Sequence, residues 1–455
     1  MEAVPSGRNL WGVGGTMNGV TLSSPDVGGT AGMQQAYMAV HGSDRRDNSI
    51  QVDGMIVNGI EGDGAIQNYF NQGMFEEMSY QTSALGSEVQ GSGVRLNMIP
   101  RDGSNQFKGS LFMSYTPGRW QSDNFTDELR ATGLREPNRV TRIFDYNPGL
   151  GGPIAKDKVW FNYTFRHWGV NKKVADAYYD ANRSPFLYAA DTSRPGIDDG
   201  HIVSNAARVS WQVSSKDKVS VYHDNQRKFR NHWGIAATVP PEASAIQVTP
   251  TSFVNVSKWT RTQTSRLLLE AGVGIYDQEY TELYQPEVLG GFANKVFDLG
   301  QIRASKTYSI LDNATGRIQN AWNSPADHFS LLRTFSGAAS YVTGSHNLRV
   351  GAQVSNGNWR LVQQYTGDVT PVTYNNGAPV SVTLRLPYDR RNGIKADTGI
   401  YAQDRWAMGR MTWNLGLRYD YFGPYTDTHD RFRDLVLGSG SNYSDRIANG
   451  IASVT

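Results

Sequence analysis

Met411-Thr412-Trp413-Asn414-Leu415-Gly416-Leu417-Arg418-Tyr419-Asp420-Tyr421 is the stretch that decides the fold. Met411, Trp413, Leu415, Leu417, Tyr419 and Tyr421 take every second position, and Thr412, Asn414, Gly416, Arg418 and Asp420 fill the gaps. Successive side chains of a strand point to opposite faces, so this is one strand with an apolar and a polar side. The phase returns upstream. Leu348, Val350, Ala352 and Val354 alternate with Arg349, Gly351, Gln353 and Ser355, and Leu267, Leu269, Ala271, Val273 and Ile275 with Glu270, Gly272 and Gly274. Phe161, Tyr163 and Phe165 oppose Asn162, Thr164 and Arg166, and Ala207, Val209, Trp211 and Val213 oppose Arg208, Ser210 and Gln212. Arg333 falls on the apolar side of Phe335, Ala339 and Tyr341, and 253–260 fits neither phase.

Segments of roughly 9–13 residues exceed a soluble strand and suit a tilted membrane crossing. The connections agree. Short turns at 155–158, 214–217, 262–265, 343–346 and 407–410 alternate with long polar stretches at 116–139, 169–203, 229–251, 281–327 and 361–395. Outer-membrane barrels show this asymmetry, with short periplasmic turns and long outer loops. The count is about eleven strands, which leaves two unpaired edges in lipid, so the sequence reads as truncated at both ends. The expected fold is mainly β: a partial transmembrane antiparallel β-barrel over 104–455, preceded by a small α/β plug domain over 1–103.

Composition permits this and removes alternatives. Forty-eight Gly and 11% aromatic residues, with 39% hydrophobic, favour strands and turns over helices. Lys+Arg 44 against Asp+Glu 42 leaves no basic stripe, so no nucleic-acid partner is expected. Without cysteine there is no disulfide scaffold, thiolate metal site or cysteine nucleophile. No run of apolar residues is long enough for a transmembrane helix, and the opening residues 1–7 lack the basic and apolar regions of a signal peptide, so residue 1 is not expected to be the native start. His223 and His232 lack partners at metal-ligand spacing, Glu76 and Glu77 point to opposite strand faces, and Gly12-x-Gly14 lacks its third glycine. No nucleophile elbow occurs. Catalytic, cofactor and metal sites are therefore expected to be none, and the protein is not read as an enzyme.

Four ordered blocks carry a family resemblance. The first is His41-Gly42-Ser43-Asp44-Arg45-Arg46-Asp47-Asn48-Ser49 with Gln51-Val52-Asp53-Gly54. The second joins Met74-Phe75-Glu76-Glu77-Met78, Gly91-Ser92-Gly93-Val94-Arg95-Leu96-Asn97 and Pro100-Arg101-Asp102-Gly103-Ser104-Asn105-Gln106-Phe107. Leu150-Gly151-Gly152-Pro153-Ile154-Ala155-Lys156-Asp157-Lys158 follows, then Asp404-Arg405-Trp406 with Asn414-Leu415-Gly416-Leu417-Arg418-Tyr419-Asp420. Together they resemble TonB-dependent outer-membrane receptors of the Oar-like branch, from about residue 37 to about 420, with His41 where Arg or Asn is commoner.

The resemblance implies a receptor that binds a scarce or bulky solute at the outer face of the bacterial outer membrane. TonB supplies the energy through an N-terminal box missing from this chain, and outer-membrane lipid is the other partner. The solute is not legible. The alternative function is a non-transporting outer-membrane or secreted β-rich adhesin or glycan-binding protein, for which a plug would have no use. Asp44, Arg45, Arg46, Asp47, Asp53 and Gly54 are candidates for latching or gating the plug; the Asp44–Asp47 cluster would pair with wall residues such as Arg208, Glu270 or Arg349, with direct solute contact as the alternative. Arg101, Asp102, Gly103 and Asn105 mark the plug-to-barrel junction. Trp120, Trp168 and Trp233 are candidate loop aromatics for stacking on a ligand, or alternatively girdle residues.

Overall fold

A computed structural model describes residues 8–24, 36–61, 68–181, 186–288, 307–385 and 388–426. After a five-residue helix, α1 (Leu10–Gly14), strands β1 (Val20–Leu22) and β2 (Met38–Val40) pair with each other. Strands β3 (Ser49–Val52), β4 (Met55–Ile56), β5 (Phe75–Gln81) and β6 (Arg95–Pro100) form a second sheet in the order β4-β3-β6-β5, with β3 parallel to β6. Asp53-Gly54 closes the β3–β4 hairpin with φ of 51° and 83°. Positive φ at both central residues is the two-residue turn whose twist matches its strands, and Asp-Gly is its usual sequence.

The large sheet follows: β7 (Lys108–Pro117), β8 (Arg139–Ala155), β9 (Val159–Asp180), β10 (Ala190–Gln212), β11 (Asp217–Trp233), β12 (Ala245–Thr262) and β13 (Leu267–Tyr284). Two short strands, β14 (Ile310–Asp312) and β15 (Arg317–Gln319), precede β16 (Ala326–Thr343) and β17 (His346–Gln363). Then β18 (Val369–Asn375) and β19 (Ala378–Leu384) precede β20 (Tyr388–Met408) and β21 (Met411–Thr426). Eleven strands pair antiparallel in the order β7-β8-β9-β10-β11-β12-β13-β16-β17-β20-β21, while β15-β14-β18-β19 make a separate sheet among the long connections. Every short turn read from the sequence separates the strands it should. No helix among the described residues is long and apolar enough to cross a membrane.

Strand length corrects the sequence reading. β9 has 22 residues and β10 has 23, so they run through most of 169–203, which reads as a loop. Likewise β11 and β12 close on 229–251 from both sides, and 361–395 contains β18, β19 and the start of β20. The reason is physical. Beyond the hydrocarbon both faces of a strand meet water, so alternation vanishes while the backbone ladder continues. Of the stretch 281–327, residues 289–306 lie outside the described residues.

The wall curls around the N-terminal sheet, and the main apolar core is shared between them. Ile50, Val52, Met55, Phe70, Met74, Phe75, Leu96 and Met98 pack with Ala206, Tyr222, Val254, Val256, Tyr276 and Leu332 of the wall. This explains the unreadable stretch 253–260. Its inward positions, Val254 and Val256, are apolar because they meet the N-terminal sheet, not lumenal water. A Cβ at Gly272 would come within 2.7 Å of the Met55 sulfur and one at Gly274 within 3.2 Å of Met55 Cβ, so two bare backbone positions form the notch that receives Met55. Outward, Leu415, Leu417, Tyr419 and Val350 are exposed, as a lipid-facing side requires.

Candidate functional site

The seam between the N-terminal sheet and the wall holds the most concentrated charge. Alternation along β10 turns Arg208 inward, beside the tip of the β3–β4 hairpin and the chain leaving β6. One guanidinium nitrogen donates to the Asp53 carboxylate, and Nε donates to Asp102 Oδ1 at 2.7 Å. Another nitrogen donates to Ser220 Oγ at 3.2 Å. Ser210 Oγ donates to Asp102 Oδ1 at 2.5 Å, and the Lys218 ammonium reaches the other Asp102 oxygen. Two cations on the wall thus neutralise two carboxylates of the N-terminal unit. The side chains of Arg208 and Asp53 are each 7% exposed, so this pairing is what makes the burial tolerable. Burial acts to raise the Asp102 carboxyl. Hydrogen bonds from Lys218 and Ser210, with the Arg208 and Lys218 charges, outweigh it and hold the group below its ordinary value.

A second set of contacts climbs β11. Its inward residues Asp224, Gln226 and Lys228 hold the segment that precedes β5. Asn68 Nδ2 donates to Asp224 at 3.3 Å, and Ser204 Oγ and Gln226 Nε2 donate to the same carboxylate at 2.9 and 3.0 Å. The Gln226 amide also mimics a strand partner. It accepts from Tyr69 N at 2.8 Å and donates to Tyr69 O at 2.9 Å. Lys228 Nζ donates to the Tyr69 hydroxyl at 2.9 Å, and burial pushes that phenol well above its ordinary range. On β9, two strands away, Thr164 Oγ1 accepts from Asn71 Nδ2 at 3.2 Å. Sequence reasoning missed this ladder. Outward His223, Asn225 and Arg227 are polar too, so β11 shows no alternation to read.

Across the lumen the grip is lighter. Ser87 N donates to Gln403 Oε1 at 3.0 Å, Arg418 donates to Ser87 O at 3.2 Å, and Gln90 Nε2 donates to Asp397 at 3.3 Å. Beside this loop lies a cavity of about 900 Å³ whose lining includes Gln81, Glu88, Arg266, Arg349 and Asp404.

The expected latch residues divide. Asp53 meets the wall, as does Asp102 of the expected junction, but the Asp44–Asp47 cluster contacts its own unit. Asp44 caps the turn Arg45–Asp47, accepting from Arg46 N at 2.8 Å and Arg46 Nε at 2.9 Å. The Arg46 side-chain hydrogen bond comes first among the causes that lower the Asp44 carboxyl to about 2. Arg45 lies over the Tyr37 ring at 4.0 Å, and Asp47 accepts from Ser92 Oγ at 3.0 Å. The reason is reach, since partners within the N-terminal unit, Arg46 for Asp44, Tyr37 for Arg45 and Ser92 for Asp47, engage each charge before the wall can. Gly54 N donates to Asn97 Oδ1 at 2.9 Å. At the junction, Arg101 N donates to Met74 O at 2.8 Å, and a Cβ on Gly103 would lie 2.4 Å from Phe161 O. Asn105 docks on the β8–β9 turn, accepting from Asp157 N at 2.9 Å and Trp160 Nε1 at 2.7 Å.

The three tryptophans do not converge. Trp120 is exposed in the turn Gly118–Trp120. Trp168 lies within β9, not in a loop. It faces inward, buried with Ile202 and Tyr69 beneath the Arg166 guanidinium at 4.3 Å. Trp233 ends β11 and packs edge-on against Trp322 at 5.2 Å.

Comparison with known proteins agrees with this architecture. A family described as outer membrane beta barrel domain matches residues 169–452. The TonB-dependent transporter Oar of Myxococcus xanthus is 29% identical over 125 residues, which is 27% of this chain and 12% of that protein. The outer membrane transporter YddB from Escherichia coli superposes with a TM-score of 0.65 at 13% identity, covering 93% of this chain and 56% of YddB. The siderophore receptor PirA from Acinetobacter baumannii gives 0.56, also at 13% identity and with the same coverages. The chain thus spans about half the length of these solved structures, and at such identities the likeness is one of fold. The chain belongs to the outer membrane beta barrel domain family of the bacterial outer membrane, and over part of its length it is similar to a TonB-dependent transporter.

Proposed function

We propose that residues 1–103 act as the plug and 104–455 as wall of a receptor that imports a scarce or bulky solute with energy delivered through TonB. The observation that carries this is the seam. A small sheet whose apolar core is completed by the wall is held at its charged edge by Arg208 and Lys218. Such a stopper seals a lumen at rest, yet its polar contacts can be exchanged for water when it is pulled. In this reading Asp53, Gly54 and Asp102 belong to the gate, and Asn105 fixes the hinge onto the wall. The buried Trp168 backs the plug residue Tyr69, whose half-buried ring a solute arriving from outside would meet first. Trp120 and Trp233 are proposed as outer contacts. Partners are TonB and membrane lipid. The test is single-channel conductance of the full-length receptor in a planar bilayer, paired with growth on candidate solutes in cells with and without TonB. Silent wild-type channels, openings when the N-terminal unit is deleted, and TonB-dependent growth are expected. Open wild-type channels, or uptake indifferent to TonB, would overturn it.

A further inference from the structure

The outward face of β8–β11 changes character partway up. Low on these strands it carries Phe161, Tyr163, Phe165, Val209, Trp211 and Val221. Higher, it carries an aromatic row that crosses four strands. Phe144 packs edge-on against His167 at 5.0 Å, His167 against His201 at 5.3 Å, and His201 lies beside Phe229 at 5.7 Å. The row is built in. A Cβ at Gly169 would lie 2.7 Å from the Phe144 ring, so the bare backbone of β9 makes the bed for that ring. Arg142 stands over Phe144 at 5.6 Å, and Arg227 shares a pairing row with Val203 and His167. Both arginines are exposed, and among the described residues neither makes an ion pair. Asp199, outward on β10, is engaged by His232 Nδ1 at 3.0 Å.

Height decides what this patch meets. An apolar band about 25 Å tall, crossed at about 3.3 Å per residue by strands tilted near 45°, consumes about ten residues. Counted from the short turns, Phe144, His167, His201 and Phe229 fall around that limit. They lie where the lipid tails end and the headgroups of the outer leaflet begin. Unpaired guanidinium groups there have no protein anion to meet, and a phosphate offers matched acceptors for their planar fork.

We propose that Arg142, His167, His201 and Arg227, framed by Phe144 and Phe229, bind the phosphate-bearing headgroup of an outer-leaflet glycolipid. Arg142 and Arg227 stand three strands and four pairing rows apart, so each takes one phosphate of a headgroup that carries two, while the imidazoles between them add donors and the rings lie against the sugar. The site stands apart from solute uptake, since it faces away from the lumen.

The test uses the full-length receptor in detergent with lipid A as probe, bisphosphorylated or enzymatically dephosphorylated, and equilibrium binding as readout. The wild type should prefer the phosphorylated probe by about tenfold. The pair Arg142→Gln and Arg227→Gln should abolish that preference, and Arg142→Lys with Arg227→Lys should restore part of it. Arg333→Gln, outward on the distant β16, should leave it unchanged. Heat-modifiable mobility confirms that each variant is folded, and His201→Gln, which keeps both arginines, gives an intermediate loss. Equal binding of the two probes, a preference that survives the double substitution, or displacement of the lipid by millimolar inorganic phosphate would each overturn the proposal.

Discussion

Arg208 of the wall and Asp53 of the N-terminal hairpin, 155 positions apart in the chain, form an ion pair whose side chains are both nearly sealed from solvent. Removing one member of such a pair strands the other. Arg208→Ala is expected to weaken docking of the N-terminal unit by about 3–5 kcal/mol, while Arg208→Met combined with Asp53→Asn and Asp102→Asn costs far less. Limited proteolysis of residues 36–103 in the folded receptor reads the difference. Equal protection in the single and triple variants would remove the pair from the account.

The Met55 notch makes a steric prediction. Gly272→Ala drives a Cβ towards the Met55 sulfur and is expected to cost about 1–3 kcal/mol of docking stability. Met55→Ala should recover part of that cost in the double variant, since it vacates the space. Denaturant midpoints of the four proteins of this cycle test it. Simple additivity would show that the contact is not tight.

Acid should loosen the seam through Asp102. Its carboxyl titrates lower in the folded protein than the ordinary 3.8, so its stabilisation is full above that value and is lost as pH falls through the folded pKa. Protease protection of the N-terminal unit should therefore fall as pH drops below about 4. Asp102→Asn should be less protected at neutral pH and respond less to acid. Identical pH profiles would assign the acid response elsewhere.

The two faces of β17 should tolerate charge unequally. Val350 is exposed outward and Gln353 faces inward. Val350→Arg is expected to cost about 2–4 kcal/mol at mid-bilayer, and Gln353→Lys much less. Urea titration of the receptor folded into vesicles measures both. Matching costs would contradict the orientation of the wall.

Topology can be read on cells. Arg130 and Arg135 lie exposed in the long β7–β8 connection, while Lys216 lies in the short β10–β11 turn. Trypsin added to intact cells should cut at the two arginines and spare Lys216. Cleavage at Lys216 alone would invert the assignment of sides.

The sequence was most legible where one face met lipid and the other water. Leu348–Val354 and Met411–Tyr421 announced their strands, and the turns between strands fell where expected, because alternation is strictest across the hydrocarbon. It lost legibility in three places for three reasons. β9 and β10 outran their alternation because both faces were polar above the membrane. Val254 and Val256 broke the phase because a protein surface, not water, lay behind them. The Gln226 clamp on Tyr69 left no trace, since it recognises backbone, which every residue carries. Asp53-Gly54 was singled out by the family resemblance, but its turn and its ionic partner emerged only once β10 was placed beside the β3–β4 hairpin.

Strands of 22 and 23 residues have a consequence for arrival rates. At about 3.3 Å per residue and a tilt near 45° they stand about 50 Å tall, roughly twice the apolar band. The wall therefore rises from the membrane as a chimney. A molecule wandering into a space of roughly 10⁴ Å³ is already present at an effective concentration on the order of 0.1 M before any specific contact forms. Grips with dissociation constants in the millimolar range are enough to keep it inside. In the proposed import reading, the inner wall hands a visitor downward through many weak encounters, and tight recognition is required only at the bottom.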